Sequence, residues 1–209
     1  MARSLKDANR TPLVIAAIVN AALFYCVVQT DAIVAGNWLA LLRGWMVAVP
    51  AGAAVVLVGV LNAQVDSKNK ARLVFWRWKN PMPGSEAFTR HGARDERVNL
   101  KAIRKTVGTL PTLPEEQNKL WYRLYQTVAA HPSVEQVHRE FLFARDFACM
   151  AAVLIVTLGP IGFVLIPSTK TAAIYLAVLI VEYLLATRAA RVHGARFVTT
   201  VLALKGAGK

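Results

Sequence analysis

FACMAAVLIVTLGPIGFVLIPST, residues 147–169, runs for 23 residues without a charge. At 1.5 Å rise per residue a helix of that length reaches about 35 Å, enough to cross the roughly 30 Å hydrocarbon core of a bilayer. Working outward, the chain holds three more such stretches. Thr11–Thr30 has 20 uncharged residues, Gly44–Val65 has 22, and Thr171–Thr187 is broken only by Glu182. Backbone polar groups in lipid must be satisfied within the segment, so each stretch is predicted to be a helix. The expected fold class is therefore all-α: a polytopic membrane protein with four transmembrane helices in two hairpins and a helical insert between helices 2 and 3. The expected divisions are an N-tail over 1–10, hairpin 1 over 11–65, a basic helical domain over 66–146, hairpin 2 over 147–187 and a basic tail over 188–209. Hydrophobic residues make up 56% of the chain, above the range of soluble domains.

The net charge is +13. It is spread unevenly. The N-tail, the insert and the C-terminal tail hold 23 of the 25 basic residues, and the two short connections hold only Arg43 and Lys170. This is the positive-inside pattern, which places both termini and the insert in the cytoplasm. The expected localisation is a bacterial inner (plasma) membrane. Anionic headgroups account for such a basic face. The expected partners are thus a bilayer with anionic headgroups, a second copy of the chain and a cytosolic protein, with nucleic acid set aside. The first stretch is longer than a signal-peptide core, and no small-x-small cleavage site follows before Trp38, so it is read as a retained span. Cys26 and Cys149 fall at opposite depths and are not expected to pair.

Several residues carry candidate roles. Glu182 is the one acid within a span, and Asn20 and Tyr175 are the other polar groups at depth; intramembrane polar groups are functional candidates. Ala48, Gly52, Val55 and Gly59 form a small-residue face on the second span, expected as a packing seam. Arg72, Trp76, Arg77, Trp78 and Lys79 interleave rings and cations just inside the membrane, the pattern of an interfacial helix against lipid headgroups. Trp38 and Trp45 suit the outer interface. In the insert, Leu100, Ile103 and Val107 share a helix face that Gly108 ends. Thr112–Glu115 has capping-box spacing. The stripe Leu113, Gln117, Leu120, Trp121, Leu124, Tyr125 and Val128 follows, with Leu120, Trp121, Leu124 and Tyr125 expected as a partner surface. Ser133–Gln136 is a second capping box, and no breaker follows before Gly159, so one helix is expected from about Val134 into the third span. Past Thr187, a basic extension is expected to lay Phe197, Val198, Val201, Leu202 and Leu204 on the membrane surface.

No signature for enzyme chemistry converges. There is no His pair at zinc spacing, no paired-cysteine motif, no nucleophile elbow and no phosphate loop, so no metal or cofactor is expected. Arg188-Ala-Ala-Arg-Val-His193 fits the R-x4-H pattern and resembles the metal-independent RNase motif of the HEPN superfamily. The resemblance covers six residues of 209, and Ala189 stands where that pattern usually has a polar residue. The reading adopted for these residues is a solvated basic flank. Two functions remain: a non-enzymatic membrane adaptor or effector that self-associates through its spans and receives a partner through the insert, and an oligomeric pore with Glu182 and Asn20 facing the axis.

Overall fold

The computed structural model describes residues 5–208; the side chains of 5–8, 40, 42, 43, 45–51, 54, 55 and 58 are outside the described set. In chain order the helices are α1 (Leu5–Val28), α2 (Thr30–Val34), α3 (Trp38–Arg43), α4 (Trp45–Gln64), α5 (Ser67–Phe75), α6 (Gly92–Arg94), α7 (Leu100–Val107), α8 (Pro114–Val128), α9 (Pro132–Leu165) and α10 (Thr169–Gly206). A 3-10 turn (Pro83–Glu86) and a π-turn (Ala87–His91) precede α6. The fold is all-helical, and no strand occurs among the described residues. Among the described residues, three helices are long and apolar enough to cross a membrane: Asn9–Val28 within α1, α9 and α10. Uncharged runs alone count four. The remaining run falls on α4, 20 residues long, several of whose side chains lie outside the described set.

The chain divides into two compact units. One, the apolar bundle, comprises residues 9–66 and 146–186; the other, the helical module, is built, among the described residues, from 5–8, 67–145 and 187–208. In the bundle, α1, α9 and α10 bury Ala17, Phe24, Leu154, Leu158, Tyr175 and Leu179 together. Small residues set the approach: a Cβ added at Gly159 would sit 3.1 Å from the Leu176 side chain, and one at Gly162 would sit 3.4 Å from Tyr175. The bundle is also apolar outward. Val156 is 70% exposed and Val164 81%, while Ile15, Ile18, Val19, Ile174 and Leu185 are exposed as well. Exposed hydrocarbon side chains over a largely apolar interior suit lipid rather than water.

Two residues of the packing seam expected on the second span are described, and neither is covered among the described residues. Gly52 and Gly59 are exposed, and an added Cβ at either meets nothing within 4 Å. Ala48 and Val55 fall outside the described side chains, as does Trp45. Gly159 and Gly162 of α9 do have a neighbouring side chain against the backbone, as does Gly44, which lies beside Gln29 and Tyr25.

The module has a conventional core. Asn99 caps α7 by accepting from the Ala102 amide at 3.0 Å, and Gly108, at φ +85°, ends it. Ile103 is buried, with Leu100 and Val107 packed beside it. Neither helix starts where its expected capping box would place it. Helix α8 starts at Pro114 with no side-chain cap on Leu113, and the Thr112 carbonyl instead accepts from Gln117 Nε2 at 2.8 Å. Helix α9 starts at Pro132, and His131 Nδ1 takes the capping position, 3.3 Å from the Ser133 amide and 2.8 Å from its hydroxyl. The single helix read from about Val134 into the third apolar stretch is α9, 34 residues long.

The expected partner stripe turns out to be interior. Leu120, Trp121 and Leu124 are buried and Tyr125 is half-buried. What covers them is the segment expected as a separate tail. Phe197, Val198, Val201 and Leu202 of α10 are buried in the same core rather than laid on a membrane surface. Phe197 is its centre: ring centroids lie 5.1 Å away for Trp121, 5.3 Å for Tyr125 and 4.5 Å for His138, the last stacked parallel. Each aromatic pair contributes about 0.5–1.5 kcal/mol beyond its buried area. Gly194, one turn earlier, lets α10 close on Phe141 and Phe75; an added Cβ would sit 3.1 Å from both rings.

Two outcomes follow from this core. Phe197→Ala removes the shared ring and should lower module stability by about 3–5 kcal/mol, whereas Val192→Ala, at an exposed position of the same helix, should change it little; denaturant unfolding followed by tryptophan emission distinguishes the two. His138 provides a pH test. Burial, reinforced by the Arg145 charge, pushes its pKa down to about 4 from 6.5. The unfolded chain therefore takes up a proton between pH 6.5 and 4 that the folded module refuses. Stability is full above pH 6.5 and falls as pH drops through that window. Thermal melts across it should show a weaker pH dependence in His138→Phe.

Candidate functional site

The module carries an open cleft of about 830 Å3 between the 75–97 segment and the end of α10. Its position is set by local sequence. Helix α5 stops at Phe75 because Trp76 takes φ +53°, a left-handed conformation costly for a bulky residue. The interfacial helix expected over 72–79 is therefore absent beyond Phe75. Asn80, at φ +48°, and the prolines 81 and 83 complete the reversal. Gly84 then passes under Trp121, where an added Cβ would lie 2.7 Å from the indole. The π-turn is held by one buried side chain. Gln117 Oε1 accepts from the amides of Phe88 (3.0 Å) and Thr89 (3.2 Å), and Nε2 lies 3.1 Å from the Thr89 hydroxyl. These bonds satisfy backbone donors that a one-turn element leaves unpaired.

This scaffold aims cations into the cleft. Its walls include Arg77, Arg90, Arg94, Arg97, Arg191 and Arg196, against Glu86, Asp95 and Glu96, over an apolar floor that includes Phe75, Met82 and Val192. Glu86 ties two of the arginines, at 2.8 Å to Arg77 and 2.9 Å to Arg90. Partial burial pushes the Glu86 carboxyl up, but the hydrogen bonds and charges of Arg77 and Arg90 outweigh it and hold it below the usual carboxylate range. Asp95 is held well below that range by hydrogen bonds from Arg97, at 2.7 and 2.9 Å. Arg97 also donates to the Thr199 hydroxyl at 3.3 Å, joining the loop to α10. His91 sits on the floor, its pKa lowered by burial and by Arg90, Arg77 and Arg94, with Glu86 opposing. Arg191 is oriented from two sides: its Nε donates to the Val74 carbonyl at 2.7 Å, and its guanidinium lies 4.2 Å over the Trp76 ring.

The residues expected at lipid headgroups separate here. Arg77 is drawn into the cleft, and Trp76 lies under Arg191. Trp78 is 81% exposed, with the Arg72 guanidinium 5.8 Å from its ring, and Lys79 is exposed. Arg72 also holds the Trp78 carbonyl and the Asn69 side chain. In the bundle, two of the three intramembrane candidates meet: Asn20 Nδ2 donates to Glu182 Oε1 at 3.0 Å and to the Ala16 carbonyl at 3.1 Å. Tyr175 is buried, its ring 5.5 Å from Phe24 and its hydroxyl without a hydrogen bond among the described residues. Of the R-x4-H residues, Arg188 is exposed, and His193 lies 3.3 Å from Glu140, which also faces Arg196 at 3.9 Å. At 100° per residue Arg188 and His193 stand about 140° apart around α10.

Sequence reasoning missed Gln117 as a hub and the 90–97 arginines as one group. The spacing of Arg90, Arg94 and Arg97, four and then three residues apart, was the available signal. No group of three His, Cys, Asp or Glu side chains suited to a metal occurs among the described residues. No protein-family model, curated protein or solved structure matches the chain.

The Asn20–Glu182 contact has a measurable weight. Interhelical polar contacts of this kind contribute roughly 0.6 kcal/mol and at most about 2 kcal/mol. Asn20→Ala and Glu182→Ala should each destabilise the bundle in detergent. The double variant should lose less than the sum, giving a coupling of that size in a double-mutant cycle.

Proposed function

We propose that the protein is a non-enzymatic integral membrane adaptor or effector of the inner (plasma) membrane. Four spans hold it there, both termini face the cytoplasm, and the helical module receives a partner or signal on that side. The observation that carries this reading is the division of one chain into units suited to two solvents. The bundle is largely apolar in its core and on its described surface, while the module has a closed core, a charged exterior and a cleft of its own. The basic residues of the module also suit contact with anionic headgroups, with Trp78 and Lys79 exposed for it.

Reception is assigned to the arginine cleft, because the Leu120–Tyr125 stripe is occupied by the chain itself. Self-association through the spans is supported by Gly52 and Gly59, small residues that this chain leaves open. The mutual hydrogen bond of Asn20 and Glu182 favours internal adhesion over a pore lined by those groups.

Reconstituted in liposomes, the protein should release neither trapped dye nor ions. Native mass spectrometry from nanodiscs should show a dimer or larger assembly. Ion release that disappears in Glu182→Gln would replace the adaptor with the pore, and a strict monomer would remove self-association.

A further inference from the structure

We propose that the arginine cleft of the module binds a ligand carrying at least two phosphate groups on a small carbon frame. The proposal rests on the reading of the module as the receiving part of the protein and names what it receives. Charge is the first argument. Six arginines face three acids, and with His91 neutral the cleft keeps a formal surplus of three positive charges. A phosphate monoester carries about −1.5 to −2 at neutral pH, so two of them match that surplus, whereas one carboxylate or one phosphodiester does not.

Preorganisation is the second argument. Arg77 and Arg90 are braced by Glu86, Arg97 by Asp95 and Thr199, and Arg191 by the Val74 carbonyl and the Trp76 ring. Guanidinium groups held in place lose little freedom when their forked donors meet phosphate oxygens. Arg196 reaches Glu140 only at 3.9 Å from an exposed position, a contact that costs little to exchange for phosphate. The third argument is shape. A volume of about 830 Å3 exceeds the needs of a lone anion and lies within the range of small-molecule sites. Its floor of Phe75, Met82 and Val192 gives a carbon frame something to lie on. The strained φ of Trp76 is then explained: it places the indole where it orients Arg191.

The same chemistry comes from a soluble bisphosphate or from a multiply phosphorylated lipid headgroup. The test uses the full chain in detergent, titrated with inorganic pyrophosphate and with a soluble inositol bisphosphate, read by calorimetry and by tryptophan emission. Both should bind, the inositol compound more tightly because of the floor. Trp76→Phe should abolish the emission change but not the heat. Arg94→Gln, at an exposed position, and Arg191→Gln should each weaken binding about ten- to a hundred-fold. Arg123→Gln, exposed and outside the cleft, should not.

Nanodiscs containing a bisphosphorylated inositol lipid distinguish the sources. Loss of soluble-ligand binding there, but not in phosphatidylcholine nanodiscs, assigns the headgroup; unchanged binding in both assigns the soluble ligand. Binding no tighter than sulfate, full binding by Arg94→Gln, or tighter binding of a short RNA than of either phosphate probe would overturn the proposal. None of these outcomes depends on leakage or oligomeric state, so the adaptor reading can fail separately.

Discussion

Phe197 is the ring on which the module closes. It meets Trp121, Tyr125 and His138 at once, and the helix that carries it also bears Arg191 and Arg196. Through that contact the apolar stripe of α8 is joined to the helix that supplies one wall of the cleft. The core and the cleft are therefore two faces of one helix. Val198, Val201 and Leu202 point into the first, while Arg191, Ala195 and Thr199 line the second.

Two acids of the cleft, Glu86 and Asp95, act as braces as well as partial neutralisers. Glu86 serves two arginines and Asp95 one, and both carboxyls are shifted downward by those partners, so they stay ionised as pH falls. Exposed ion pairs contribute little stability one by one. Here their effect is positional: each fixes the direction of a guanidinium whose outer donors remain available. Gln117 does the same for the backbone, turning a short π-turn into a rigid support for Arg90 and His91.

The apolar runs were legible because lipid makes a simple demand. A helix must be long, uncharged and internally bonded, and residues 147–169 meet each condition over a contiguous window. Gly108 and the α7 face were legible for similarly local reasons. The module's tertiary partners were not. The periodicity of Leu120, Trp121, Leu124 and Tyr125 shows that a face is apolar and says nothing of what covers it. Likewise Phe197, Val198, Val201 and Leu202 have the spacing of a membrane-surface helix and of a core helix alike, because both bury one stripe. Basic residues on the opposite side strengthened the wrong choice. The cleft was hidden for another reason: Arg77, Arg90–Arg97 and Arg191–Arg196 are far apart in the chain, and only the turn made by Trp76 and Asn80 gathers them.

One consequence reaches beyond the finished molecule. The ribosome completes Tyr125 72 residues before Phe197. At about 5–20 residues per second, the α8 stripe waits roughly 4–14 s for its cover. During that interval the apolar parts of α9 and α10 are synthesised, and Trp121 lacks the ring that packs against it in the finished fold. The apolar parts of α9 and α10 are thus made before the ring that closes the module, so in the order of synthesis the α8 stripe stays uncovered until Phe197 arrives.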